Sequence, residues 1–219
     1  MKKIKILCIP GWNEGCNVFD KIKEILSDYF EFVYVELPGF NNNNPPSFAY
    51  YPKDYAEYIK EETNSSFDLI LAHSYGGKIA MEYYLNIKNV PLILLAPSII
   101  KPTRSLKVKL RILLFKIRKR LNLLNNKEYG SKDYINSKGI MRKVFMNAIN
   151  TYYDQKLDKL TDKVLLIYGN KDKQTPYKEG KKIRKINNKI KLIKVSGDHF
   201  ALINNDLKIS KIIYRFVRE

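Results

Sequence analysis

Two histidines and two cysteines are the whole supply of imidazole and thiol groups in this 219-residue chain, and that scarcity excludes several function classes at once. Cys8 and Cys16 cannot build a disulfide framework or a cysteine-rich metal site. Cys8 lies inside an apolar run and reads as a small buried residue, while Cys16 has no adjacent base to stabilise a thiolate. A reducing cytoplasm is therefore the expected setting. Long apolar runs are missing too, and none approaches the roughly 18 residues that span a bilayer. Lys2 and Lys3 precede the apolar stretch Ile4 to Ile9, but Lys5 breaks it and Pro10-Gly11 follows without a small-residue cleavage site. A buried strand fits this better than a signal peptide. Acidic residues are also few, 22 against 40 Lys and Arg, for a net charge of +18. That balance invites a nucleic-acid reading. However, 32 of the 40 are lysine and the chain holds 20 asparagines, the composition an A+T-rich coding sequence produces. Dispersed lysines mostly make a solvated surface, and no nucleic-acid reading motif accompanies them.

What is present is an alternation of short apolar runs and amphipathic segments, the pattern of a parallel sheet covered by helices. The spacing predicts strands over Ile4 to Ile9, Phe32 to Leu37, Leu69 to Ala72, Pro91 to Leu95, Val164 to Tyr168 and Ile190 to Val195. Helices are predicted over Phe19 to Leu26, Pro52 to Thr63, Tyr75 to Leu85, Tyr177 to Ile186 and Leu207 to Val217. The expected fold class is α/β, a mostly parallel six-stranded sheet with helices on both faces. Residues 98–160 break the rhythm, because two helical segments follow one another without a strand between them. Residues 1–97 and 161–219 are therefore expected to form the core, with 98–160 a helical cap insertion. Its helices are predicted from Ser105 to Leu124, with Leu106, Leu110, Leu113, Ile117, Leu121 and Leu124 on one face, and from Lys138 to Tyr153.

Ala72-His73-Ser74-Tyr75-Gly76-Gly77 joins a predicted strand to a predicted helix. A nucleophile on so tight a turn needs small residues two positions away on either side, and Ala72 and Gly76 supply them. The competing reading is a serine that merely caps the following helix. A serine nucleophile needs a base, and His73 is badly placed because successive residues at a sharp turn point apart. His199, in Val195-Ser196-Gly197-Asp198-His199-Phe200 after the last strand, lies at the same sheet edge. The carboxylate that holds its tautomer is best supplied by Asp172, in Gly169-Asn170-Lys171-Asp172 after the fifth strand. Asp198 competes, but it adjoins His199 too closely for a good Nδ1 contact.

The altered elbow, the Gly-x-x-Asp loop reaching Pro176 and the late Gly-Asp-His resemble the α/β-hydrolase superfamily, in its small prokaryotic serine hydrolases and esterases. The resemblance runs from the first strand to the last helix and omits most of the insertion. It implies a serine hydrolase that cleaves a carboxylic ester or thioester through an acyl-serine intermediate, with no metal or organic cofactor. By position it also implies an oxyanion hole made by the backbone amides of Tyr75 and Trp12. This chain has Pro10-Gly11 where the family usually has His-Gly. Glu36-Leu37-Pro38-Gly39-Phe40 is similar to the family's Asp-x-Pro-Gly-x-Gly turn, with Asn41 replacing the last glycine, and reads as structural. Other acyl or C–C bond hydrolysis remains open on the same fold, as does a basic membrane- or partner-binding protein on a hydrolase scaffold.

Residues 101–127 hold ten Lys or Arg and no Asp or Glu, including Arg104, Arg111, Arg118 and Arg120, half of the arginines. Three readings compete: a solvated basic face on a helix that covers the site, attachment to an anionic membrane surface, and docking of an acidic carrier or an anionic substrate. Arg142, in the second cap helix, is a candidate for a substrate carboxylate, against the plainer reading of a helix-surface arginine.

Overall fold

The computed structural model describes residues 3–102, 113–114, 117–118, 120–121, 131–161, 163–200 and 205–219. Six strands form one sheet: β1 (Ile4–Ile9), β2 (Phe30–Tyr34), β3 (Leu69–His73), β4 (Leu92–Leu95), β5 (Val164–Gly169) and β6 (Lys191–Val195). Their order is β2-β1-β3-β4-β5-β6, and every ladder is parallel. The helices are α1 (Asp20–Leu26), α2 (Pro52–Thr63), α3 (Gly76–Asn86), α4 (Lys132–Asn136), α5 (Gly139–Asn150), α6 (Tyr177–Ile186) and α7 (Asp206–Arg218).

The near-continuous apolar strands follow from burial on both faces. Along them, side chains alternate between two cores. Leu7, Ile9, Ile70, Ala72, Leu92, Leu94, Leu166 and Tyr168 join residues of α2, α3 and α6 on one face. Ile6, Cys8, Leu69, Leu71, Ile93, Leu95, Leu165 and Ile167 pack with α1 and α7 on the other. Each fully buried Leu or Ile contributes about 1.5–3 kcal/mol to this arrangement. The α/β fold with helices on both faces is thus the one expected.

The expected second strand is shifted. Pairing runs from Ile4 opposite Phe30 to Cys8 opposite Tyr34, so Phe32 to Leu37 overshoots at one end and starts late at the other. Val35 and Leu37 are buried but lie beyond the end of the ladder, and burial rather than pairing explains their apolar character. The predicted helix at Phe19 begins as a 3-10 turn, Cys16–Phe19, before α1. Pro52 stands in the first turn of α2 as expected, where the Asp54 carboxylate accepts the Tyr51 amide at 2.7 Å.

Between β4 and β5 the chain carries α4 and α5. Helix α5 starts and stops inside the predicted Lys138 to Tyr153 and buries Val144, Phe145 and Ala148. It is tied to the sheet domain by a buried cation. Lys78 of α3 donates from Nζ to the carbonyls of Ala148 at 2.6 Å and Thr151 at 2.7 Å. These carbonyls lie at the C-terminal end of α5, the negative end of its dipole. Burial lowers the Lys78 ammonium to about 8. The helix expected over Ser105 to Leu124 falls mostly outside the described residues. Within them, Leu113, Ile117 and Leu121 are exposed rather than turned to the core. No described helix is long and apolar enough to cross a membrane.

Candidate active site

The carboxyl ends of β1, β3, β5 and β6 open on the same edge of the sheet, and each strand releases one part of the site there, as parallel sheets do. After β3 the chain turns so sharply that Ser74 takes a left-handed φ of 49°, a conformation costly for a residue with a Cβ. The turn is held by the Ser74 amide donating to the Leu95 carbonyl at 2.9 Å. Gly76 is required by the close approach that follows, because a Cβ there would overlap the backbone carbonyl oxygens of Ile9 and Pro10. Strand and helix therefore meet at the tip of β3 with Ser74 at the apex.

His199, carried on the loop after β6, reaches Ser74. Its Nε2 lies 3.0 Å from Ser74 Oγ and its Nδ1 lies 2.8 Å from Asp172 Oδ2. Asp172 and His199 are both buried. Burial would raise the Asp172 carboxyl. The hydrogen bond and charge of His199, with the amide and hydroxyl of Thr175, outweigh it and hold the carboxyl below its ordinary value. Its second oxygen accepts the amides of Gln174 at 2.8 Å and Thr175 at 2.9 Å. The structure thus brings Ser74, His199 and Asp172 into one hydrogen-bonded line. Asp198 is turned elsewhere, with Oδ1 accepting the Phe200 amide at 3.1 Å.

Two residues of this neighbourhood escaped the sequence reading. Thr175 Oγ1 lies 2.8 Å from Asp172 Oδ2, 3.2 Å from His199 Nδ1 and 3.0 Å from the Ala96 carbonyl. Its three-residue spacing from Asp172, like that of a capping box, was the available signal. Glu14 pairs with His73, 59 positions away, and no local pattern announces such a contact.

Tyr75 directly follows Ser74, Trp12 follows Gly11 after β1, and the backbone amide of neither donates to another described residue. Tyr75 is the N-cap of α3, where amides lack helical partners. The two side chains pack edge to face at 5.5 Å, within a cluster that includes Phe40 and Phe145. A cavity of about 300 Å³ adjoins this turn, lined by Trp12, Asn13, Gly39, Asp133, Asn136, Ser137, Lys138 and Met141. Arg142 is engaged within the insertion. Its Nε donates to the Ser137 carbonyl at 2.8 Å, at the end of α4, and its guanidinium lies 4.9 Å from the Tyr134 ring. The Glu36 to Phe40 turn is closed by the Gly39 amide on the Asn44 carbonyl at 2.8 Å. No group of three or more His, Cys, Asp or Glu suited to a metal ion occurs among the described residues.

With this geometry in place, residues 6–179 match the family model described as the alpha/beta hydrolase family. The chain belongs to that family. Three solved structures share the hydrolase fold across almost the whole chain. An esterase from Exiguobacterium antarcticum is 18% identical with a TM-score of 0.77, covering 100% of this chain and 93% of its own. An esterase from Thermogutta terrifontis is 14% identical with a TM-score of 0.74, covering 99% and 90%. An enol-lactonase from Burkholderia xenovorans LB400 is 10% identical with a TM-score of 0.76, covering 100% and 93%. No curated protein matches the chain in sequence. Family, fold and the Ser–His–Asp line together make this hydrolase a serine hydrolase, built to work through an acyl-enzyme intermediate.

A carboxyl near the site sets a pH dependence for folding. Glu179, in the first turn of α6, is buried. Burial pushes it up to about 7; Lys178 and Lys182 oppose this, and the charges of Asp172 and Asp154 add to it. A carboxyl raised in the folded state stabilises most below its unfolded pKa and loses that contribution as pH rises through 7. Glu179→Gln is therefore expected to raise stability by about 1–3 kcal/mol at pH 8, and by clearly less at pH 5. Thermal melts of the two proteins at both pH values check this, and an equal gain at each would contradict it.

Proposed function

We propose that this hydrolase cleaves a carboxylic ester or thioester, and that Ser74, His199 and Asp172 carry the reaction. The observation that carries the reading is the unbroken line from Asp172 Oδ2 through His199 to Ser74 Oγ, with steps of 2.8 and 3.0 Å. His199 Nε2 takes the Ser74 proton as Oγ attacks the carbonyl carbon. The resulting oxyanion accepts hydrogen bonds from the Tyr75 and Trp12 amides, whose freedom from other described acceptors supports that role. Imidazolium then protonates the leaving alcohol or thiol, and the ester bond breaks to leave acyl-Ser74. Water, deprotonated by the same His199, attacks the acyl-enzyme, and the proton returns to Ser74 Oγ as the carboxylic acid departs. Asp172 stays ionised throughout.

The division into a core of residues 1–97 and 161–219 and a cap of 98–160 belongs to the same reading: α4 and α5 supply one wall of the cavity beside the oxyanion turn. Arg142, held by its Nε and one Nη on the Ser137 and Ile135 carbonyls, is given a minor place in substrate binding. Docking of an acidic carrier or an anionic membrane surface would fall to residues 101–127, most of which lie outside the described residues.

Covalent labelling by a fluorophosphonate, followed by a series of p-nitrophenyl esters, tests the assignment. Labelling is expected at Ser74, with hydrolysis of the esters by the labelling-competent protein. An unlabelled, inert protein would overturn the enzyme reading.

A further inference from the structure

Glu14 and His73 form a second carboxylate–imidazole pair beside the first, and acyl transfer uses neither. Glu14 closes the turn that follows β1. Its Oε2 lies 2.8 Å from His73 Nδ1 and accepts the Gly11 amide at 2.7 Å. On the other side of the ring, His73 Nε2 lies 3.3 Å from the carbonyl oxygen of His199. The two imidazole rings are 4.9 Å apart, and His73 has no exposed surface.

The pair is a poor device for stability alone. Removing such groups from water costs roughly several kcal/mol per ion, and well-packed apolar residues often serve as well. What it supplies is connection. Burial would raise the Glu14 carboxyl, but the hydrogen bond and charge of His73 and the Gly11 amide bring it below its ordinary value. An ionised carboxylate makes the stronger, charge-assisted hydrogen bonds. Three separate pieces of the site meet at this ring. The Gly11–Glu14 turn carries the Trp12 amide. The elbow carries Ser74, the very next residue after His73. The loop after β6 carries His199. The turn also holds Asn13 at a left-handed φ of 56°, a conformation that persists only when its surroundings enforce it. Gly11 packs so closely on the Glu14 carboxylate that a Cβ would come within 2.6 Å of Oε2.

From this we infer that Glu14 and His73 are positioning residues, which hold the Trp12 amide and the His199 loop in register with Ser74. The inference rests on the assignment of Ser74 and His199 as nucleophile and base. A group that acts this way affects the transition state more than substrate binding, so its loss lowers kcat and spares KM.

The test uses Glu14→Ala, Glu14→Gln and Glu14→Asp in the full chain, with fluorophosphonate titration to count competent sites. Wild-type labelling and ester hydrolysis check the underlying assignment; the variants check the inference separately. Per labelled site, Glu14→Ala is expected to lose about 10- to 100-fold in kcat, somewhat less than deletion of an oxyanion donor outright, with KM within about threefold. Glu14→Gln keeps an acceptor of the same shape and is expected to recover most of that loss. His73→Ala combined with Glu14→Ala is expected to cost no more than either alone, as for residues acting as one unit. Wild-type kcat per site in Glu14→Ala would overturn the inference, as would a Gln variant as impaired as the Ala variant. Should the Ala variants not fold, Glu14→Asp decides, because it withdraws the carboxylate by one methylene. Lower kcat at unchanged KM supports positioning; unchanged kcat overturns it.

Discussion

Ser74→Ala is expected to reduce kcat for a short p-nitrophenyl ester by about 10⁴- to 10⁶-fold, the range seen when a serine nucleophile is removed. The change deletes one hydroxyl and its 3.0 Å contact with His199. It leaves the backbone at position 74 in its left-handed turn, as strained for alanine as for serine. Stability should therefore shift by only about 1 kcal/mol, the net worth of one hydrogen bond. The change adds no bulk and leaves the surrounding residues in place, so KM should hold and the lost rate should lie in kcat. Steady-state kinetics with a thermal melt and fluorophosphonate labelling settle the matter. A folded alanine variant with substantial esterase activity would remove Ser74 from the reaction.

The next largest effect is expected from Asp172→Asn, about 10⁴-fold in kcat. The carboxylate is an acceptor on every side: His199 Nδ1 and the Thr175 hydroxyl at one oxygen, the Gln174 and Thr175 amides at the other. An asparagine can keep the two amide donors only by turning its NH₂ toward His199. That forces Nδ1 to accept and puts the imidazole proton on Nε2, facing Ser74, where no base is left. The chain should fold, since shape and the loop hydrogen bonds survive. A variant within tenfold of wild type would mean that Asp172 does not set the tautomer. In the wild type, the lowered Asp172 carboxyl contributes stability above the unfolded carboxylate value near pH ~4, lost as pH falls through its lower folded value. The acid limb of the pH–rate profile should consequently not report Asp172.

Legibility differed from element to element. The strands were readable because a parallel sheet buries both faces, which leaves apolar runs bounded by Pro10-Gly11 and Gly169. Strand β2 was misplaced for the same reason. Val35 and Leu37 are as buried as ladder residues, although pairing stops at Tyr34. The basic insertion was legible only as charge and periodicity. Leu113, Ile117 and Leu121 share one predicted face, yet they are exposed, and periodicity cannot say whether an apolar face has a partner.

The chemistry at Ser74 was legible for a further reason. The backbone at the tip of β3 demands small residues on both sides of the nucleophile, and two histidines leave little choice of base. The sequence by itself thus determined the α/β architecture, the order of serine, aspartate and histidine, and the turn that exposes Ser74, all of which rest on local backbone demands and on period. Only the tertiary structure decided what His73, Glu14, Thr175 and Lys78 do. Their contacts with the His199 loop, the Gly11–Glu14 turn, the Ala96 carbonyl and the end of α5 join segments distant in the chain, which no local spacing announces. It also gave Arg142 the carbonyls of α4 as partners, because the fold places the end of one short helix against the flank of the next.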